Sequence, residues 1–300
     1  MKYKILAALA VLIIPASAFI RQDTLNEIIQ PGAVLEKIAD GFSFTEGPSS
    51  DIHGNVFFTD QPNNRILEWS TDGKLTTFMQ PCGRSNGLAF DAKGNLWACA
   101  DEKNELWCIT PDKTITVIPS TYTGKILNGP NDLWPDCHGG IYFTDPFYKR
   151  TWWNHSDQPQ AIQAVYYLKP DHKTVIRVAS DLVQPNGIVG TPDCSTLFVA
   201  DIGDNKTWSY MINPDGTLGE KKLFCEMGSD GMTIDDRGDI YLTGKGVTVF
   251  NKNGTKLGNI PVPEDWTANV CFGGKDMKSL FITASKGLYM IRLRYKGSSQ

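Results

Sequence analysis

Six times along this chain an oxygen-bearing side chain opens a short segment that runs into a β-rich stretch, and that recurrence limits the folds open to it. Four copies share one spacing: an acidic or amide residue, Asp five positions on, and Gly three after that. They are Glu46/Asp51/Gly54, Asn86/Asp91/Gly94, Asn131/Asp136/Gly139 and Asp230/Asp235/Gly238. Strand-forming residues follow each Gly: NVFFTD ending at Asp60, NLWACAD at Asp101, GIYFTD at Asp145 and DIYLTG at Gly244. Two looser copies fill the gaps, Asn186 leading to TLFVAD at Asp201 and Asn269 leading to SLFITA at Ala284. The openings at 46, 86, 131, 186, 230 and 269 are spaced by 40, 45, 55, 44 and 39 residues.

A period of roughly 40–50 residues with several short strands per unit is the pattern of propeller blades. The first unit reads as four strands, GPSSD, NVFFTD, RILEWS and KLTTFM, separated by Asp-x-x-Gly, Gln-Pro-Asn-Asn and Thr-Asp-Gly turn signals. Helical periodicity of useful length is absent after residue 30. The sixth unit stops after its third strand near Arg294, and residues 34–39 can supply its missing outer strand. Closing the ring with strands from both ends leaves no open sheet edge. The expectation is an all-β, six-bladed propeller of four-stranded antiparallel blades, with residues 19–300 forming one domain. A β-sandwich or stacked solenoid leaves the complementary deficit at the two ends unexplained.

Residues 1–18 are set apart: Lys2 and Lys4, an apolar run from Ile5 to Ile14, and the small residues Ala16-Ser17-Ala18. That is the pattern of a secretory signal peptide, and the run is short for a transmembrane helix. The chain is therefore expected to be exported, periplasmic or secreted. A net charge of −4 supplies no basic face for nucleic acid, so a small-molecule partner is expected instead. No membrane association is foreseen after cleavage, and the protein reads as a monomer or weak homo-oligomer. The seven cysteines, at 82, 99, 108, 137, 194, 225 and 271, show no metal-type spacing. Buried free thiols are the preferred reading, with Cys99 and Cys108 able to face each other across a hairpin.

In a propeller the first strand of each blade lines the central tunnel. Glu46, Asn86, Asn131, Asn186, Asp230 and Asn269 would then meet at one rim. All six carry a side-chain oxygen acceptor, and crowding them on one axis calls for a central partner. Oxygen-only donors carrying about two negative charges suit Ca²⁺; Mg²⁺, Mn²⁺ or Zn²⁺ are the alternatives, zinc least because it prefers His and Cys. Asn-Gly and Asp-Gly are also common turn pairs, so any one of these positions alone could merely start a strand.

Glu46-Gly-Pro, Asn131-Asp132 within GPND, Pro185-Asn186-Gly187 and Asp230-Gly-Met with its Ile-Asp, in this order, resemble the SMP-30/gluconolactonase (regucalcin-like) family over about residues 33–294. The resemblance implies six blades around a tunnel calcium, with Glu46, Asn131, Asn186 and Asp230 as metal ligands. It makes Asp230 the catalytic carboxylate as well, and gives Asp145 in FTDP an acidic role. Animal members carry Arg two residues before the Asn131 position, where this chain has Gly129, so their substrate contacts do not transfer.

The expected activity is calcium-dependent hydrolysis of a small ester, a sugar lactone above all, with metal polarisation of the carbonyl and carboxylate-assisted attack by water. Asp145 would be base or proton shuttle, and Asp230 a ligand with nucleophilic or base character. Asn86 and Asn269 are assigned to substrate. An insertion after Asp145, PFYKRTWWNHSDQPQ, is expected to overhang the rim and offer Tyr148, Arg150, Trp152 and His155 to the same ligand. Trp152 and Trp153 can equally pack this insertion onto the blades. Asn154, Asn205 and Asn253 fit the N-glycosylation acceptor pattern, which matters only in a glycosylating host. The competing readings are a non-catalytic sugar- or protein-binding propeller with a structural metal, and an organophosphate-type esterase.

Overall fold

The computed structural model describes residues 24–118 and 121–298; the signal-peptide expectation falls on residues 1–18, outside them. The described chain is a six-bladed β-propeller. Blade 1 comprises Thr45–Ser50, Val56–Asp60, Arg65–Trp69 and Leu75–Met79, paired in sequence order. Blades 2 to 5 repeat that meander, beginning at Ser85–Phe90, Leu133–Pro135, Pro185–Gly190 and Met232–Ile234. Blade 6 takes Thr267–Gly273, Ser279–Ala284 and Gly287–Arg292 from the end of the chain and Glu36–Asp40 from the beginning as its outer strand. That strand pairs antiparallel with Gly287–Arg292, Asp40 opposite Gly287. The expected closure is observed. A four-residue helix, Leu25–Ile28, precedes it and buries Ile28 completely.

The Asp-x-x-Gly spacing is a turn with a purpose. Asp51, Asp91, Asp136 and Asp235 each accept from the backbone N–H two and four residues on, at 2.7 to 2.9 Å. The glycine between sits at φ of +80° to +86°, a backbone that side chains avoid. Second strands such as Val56–Asp60, Leu96–Ala100 and Ile141–Asp145 are buried at every position. Neighbouring blades cover both of their faces, so these strands read as continuous apolar runs rather than alternating ones. The core is spread around the ring as clusters between adjacent blades, for example Phe57, Ile66, Leu88, Leu96 and Ile109 between blades 1 and 2.

Two cysteine expectations are corrected. Cys137 and Cys194, in turns of blades 3 and 4, form a disulfide. Turn geometry set by the two blades brings them together, and no sequence spacing announces it. Cys99 and Cys108 lie on paired strands but out of register, Cys99 opposite Leu106 and Cys108 opposite Trp97, so they do not face each other. The other five thiols are free, and all but Cys108 are buried.

Candidate metal and active site

Irregularities in the ladder aim the rim residues inward. The inner strands of blades 1, 2, 4 and 6 shift register between Glu46 and Ser49, Ser85 and Leu88, Pro185 and Ile188, and Thr267 and Asn269. Such bulges re-aim side chains and recur beside functional sites. The glycine after four of the six rim residues, Glu46, Asn86, Asn186 and Asp230, is there for space. A Cβ on Gly47 would lie 2.2 Å from the Asn86 carbonyl oxygen, on Gly87 2.6 Å from that of Asn131, and on Gly187 2.9 Å from that of Asp230. On Gly231 it would strike the Asn269 side chain. The Asn-Gly and Asp-Gly pairs are therefore close-approach points around the tunnel. They are not hairpin turns.

At the rim, Asn186 Nδ2 donates to Asp230 Oδ1 and to the Tyr148 hydroxyl, both at 2.8 Å. This leaves Asn186 Oδ1 buried without any hydrogen-bond donor. Glu46 is 4% exposed, and its Oε2 accepts only the neighbouring Gly47 N–H at 3.0 Å. Burial raises the Glu46 pKa well above the usual carboxylate range, and the nearby Asp230 charge raises it further. Asp230 is itself pushed up to about 6 by burial, against hydrogen bonds from Trp266 and Asn186 that favour its charged form. A third buried carboxylate, Asp132, is raised to about 7 chiefly by burial. Asn269 turns toward it, Nδ2 to Asp132 Oδ2 at 3.4 Å, and its own Oδ1 accepts from Val270 N at 2.8 Å.

Among the described residues no three His, Cys, Asp or Glu side chains converge at metal-holding distance. A cation here must draw on amide oxygens as well as carboxylates. The orphaned Asn186 Oδ1 beside Glu46 and Asp230 supplies that mixture, which fits a hard, oxygen-seeking cation such as Ca²⁺.

Asp145 is fully buried, and both of its oxygens are engaged: Oδ2 accepts from Asn128 N at 2.9 Å and Oδ1 from Gly129 N at 2.8 Å. Asp201 does the same for Val183 N and Gln184 N at 2.8 Å each, and Asp60 Oδ1 for Ser43 N and Phe44 N at 3.0 and 3.3 Å. The strand-end Asp is thus a repeated clamp on the loop entering the inner strand of its own blade. Burial pushes the Asp145 pKa up to about 7, but its two oxygens serve the same clamping role as those of its counterparts.

The insertion folds back over blade 2. Arg150 Nε donates to Asp101 Oδ2 at 2.8 Å, and Trp153 Nε1 donates to the Asp101 carbonyl at 2.6 Å. The Arg150 guanidinium packs over the rings of Tyr148 and Trp152, at 5.4 and 5.5 Å, while Arg84 stacks on Trp152 at 4.8 Å. His155 stacks on Trp153, ring centroids 4.8 Å apart, and its Nδ1 faces the Asp157 carbonyl. None of the rim carboxylates or amides is a hydrogen-bond partner of His155. Gly129 is crowded and at a φ of +147° that side chains rarely adopt: a Cβ there would lie 3.0 Å from both Asp101 Oδ1 and Trp153, which would have to give way. A side chain at 129 would press on this lid, and the guanidinium whose charge reaches the axis carboxylates comes from Arg150. Its charge lowers the pKa of both Glu46 and Asp230.

Sequence reasoning passed over Asp101, Asp132, Arg84 and Trp266. Asp101 carries the strand-end signal shared with Asp60 and Asp145. Trp266 has no such signal, because it sits in a connecting loop outside the repeat.

Three comparisons bear on this geometry. A gluconolactonase of Zymomonas mobilis is 29% identical to this chain, over 91% of it and 85% of that protein. The solved structure of a gluconolactonase from Xanthomonas campestris superposes with a TM-score of 0.82 at 29% identity, covering 90% of this chain and 92% of the other. The X-ray structure of a putative gluconolactonase gives 0.85 at 31% identity, covering 92% and 97%. Residues 44–286 match the profile of the SMP-30/gluconolactonase/LRE-like region, and the chain belongs to that family of gluconolactonase-like lactonases.

Proposed function

We propose that this protein hydrolyses a sugar lactone with the help of a divalent cation, Ca²⁺ in the first instance, seated at the rim of its tunnel. The observation that carries the reading is the buried Asn186 Oδ1 without a donor, on a side chain bonded to Asp230, whose charge acts on buried Glu46. Glu46, Asn186 and Asp230 would hold the ion, with Asn131 contributing an amide from blade 3. When bound, the cation supplies Lewis acidity toward the lactone carbonyl and lowers the pKa of water.

The chain's own groups do the rest. Asp230 is held at both oxygens, by Asn186 and by Trp266, and is the carboxylate placed to take a proton from the attacking water. Arg150 keeps its Nε on Asp101, its charge reaches Glu46 and Asp230, and its other guanidinium donors would orient lactone oxygens. Tyr148, with Arg150 packed over its ring, and Trp152 wall the entrance and limit access of bulk water. Asn86 and Asn269 are further amides that could contact the substrate. The gluconolactonases that this chain resembles support a sugar lactone as substrate. Asp145 is assigned to holding the 128–129 loop, and the general-base role belongs to Asp230.

The test is metal analysis of the purified protein together with a panel of aldonolactones, aryl esters and phosphotriesters, with and without chelator. Lactone turnover should vanish with chelator and return with Ca²⁺, and should fall at least a hundredfold in Asp230→Asn. Turnover that ignores chelator, or an Asp230→Asn protein as active as the parent, rejects the reading. A protein that binds Ca²⁺ yet turns over nothing in the panel is a binding propeller. Export is part of the same proposal, supported by the Cys137–Cys194 disulfide, which suits an oxidising compartment. Mass spectrometry of the mature N-terminus checks it, with Phe19 expected to be first.

A further inference from the structure

Trp266 combines two properties that rarely coincide. It is 41% exposed, a large apolar ring left in water, yet its indole N–H is committed to Asp230 Oδ2 at 2.6 Å. Its backbone is fastened as well. Trp266 N donates to Ser285 Oγ at 3.3 Å, and Ser285 Oγ donates back to the Trp266 carbonyl at 3.2 Å. The Ser285 carbonyl in turn accepts Thr45 N at 2.9 Å, one residue before Glu46. A hydrogen-bonded line therefore crosses the tunnel mouth: Tyr148 hydroxyl, Asn186 Nδ2, Asp230 Oδ1, Asp230 Oδ2, Trp266 Nε1. The same Ser285 links the Trp266 loop to the strand that carries Glu46.

We propose that Trp266 is a positioning residue. Its N–H takes Oδ2 of Asp230 and fixes the carboxylate rotamer so that Oδ1 stays beside Asn186, on the face offered to the cation. A carboxylate on a rim, free to rotate about its side-chain torsions, would otherwise spread over several orientations. Groups that hydrogen-bond a metal ligand from outside set its orientation, and losing one typically weakens metal binding about 10–100-fold. The inference rests on the axis being a cation site and adds to it a residue that touches no cation itself. Because the indole is exposed and bonded to a ligand, its emission should also report occupancy of the site.

The test uses the full mature protein and Trp266→Phe, which keeps an aromatic ring and removes the N–H. Both are titrated with Ca²⁺ in calcium-buffered solution, followed by calorimetry and by tryptophan emission. Melting of the calcium-free forms and steady-state kinetics on a lactone at saturating Ca²⁺ accompany them. The expected result is Ca²⁺ binding about tenfold or more weaker in Trp266→Phe, loss of the Ca²⁺-dependent emission change, and a lowered kcat. The calcium-free melting temperature should be unchanged within roughly 2 °C, given that the N–H donates to a partly solvated group. Binding within twofold of the parent overturns the positioning role and leaves the cation reading standing. A collapse of the calcium-free fold in Trp266→Phe also overturns it, because the residue would then be structural. If the parent protein binds no divalent cation, the cation reading and this inference fall together.

Discussion

Replacing Asp145 separates a clamp from a base. Its two oxygens hold the N–H groups of Asn128 and Gly129, and all of these groups are buried. Asp145→Ala would leave two buried amides without acceptors, at about 1–3 kcal/mol each. Removing a buried carboxylate, whose pKa burial already pushes up to about 7, recovers part of that cost. The net loss should be about 2–4 kcal/mol, and for a chain of this size that is a fall of roughly 4–8 °C in melting temperature. Asp201→Ala breaks the equivalent pair of bonds in blade 4, but to part-buried N–H groups that water can reach, and should cost less. Differential scanning calorimetry on both variants, beside lactone kinetics, gives the comparison. Asp145→Ala should raise KM, because the loop that carries Asn131 and borders the lid is loosened, with kcat reduced less than tenfold. An Asp145 variant with the parent's melting temperature, unchanged KM and a kcat lowered more than a hundredfold would refute this reasoning and restore the residue as base.

Three other outcomes follow from the coordinates. Gly87→Ala forces a Cβ to within 2.6 Å of the Asn131 carbonyl and of Asp132 Oδ1, an overpacking cost of about 1–3 kcal/mol. It should lower both the melting temperature and Ca²⁺ affinity, whereas Gly94→Ala, with open space around it but φ at +80°, should cost about 1–2 kcal/mol and leave Ca²⁺ affinity intact. Burial raises Asp101 to about 6 against the opposing pull of Arg150, so in the fold it takes a proton between about pH 4 and 6. That group's contribution to stability is complete below about pH 4 and lost as pH rises through 6, so acid does not unfold the protein through Asp101. Acid does remove the ion pair pinning the lid: KM should rise from pH 7 to 5, and Asp101→Asn should already show a raised KM at pH 7. Reducing the Cys137–Cys194 bond, which spans 57 residues, should cost up to about 4 kcal/mol by chain entropy. Melting with and without reductant measures it, and Cys137→Ser should be insensitive to reductant.

The number of blades, the meander within each and the shared last blade were readable from the sequence. Each rests on local signals repeated at a fixed period: Asp-x-x-Gly turns, apolar second strands, and strands missing in complementary fashion at the two ends. The six oxygen-bearing residues were legible for the same reason, since a position repeated once per blade must lie at one radius. What each of them does was decided by contacts between parts of the chain far apart in sequence. Asp145 and Asp230 are both carboxylates on the repeat. Only folding shows that one has both oxygens closed by its own loop, while the other lies between Asn186 and Trp266 at the mouth. The Cys137–Cys194 bond, the lid held on Asp101 and the crowding at Gly129 have the same origin. Periodicity fixes where a residue sits relative to its own blade, while its chemistry depends on which distant groups pack against it.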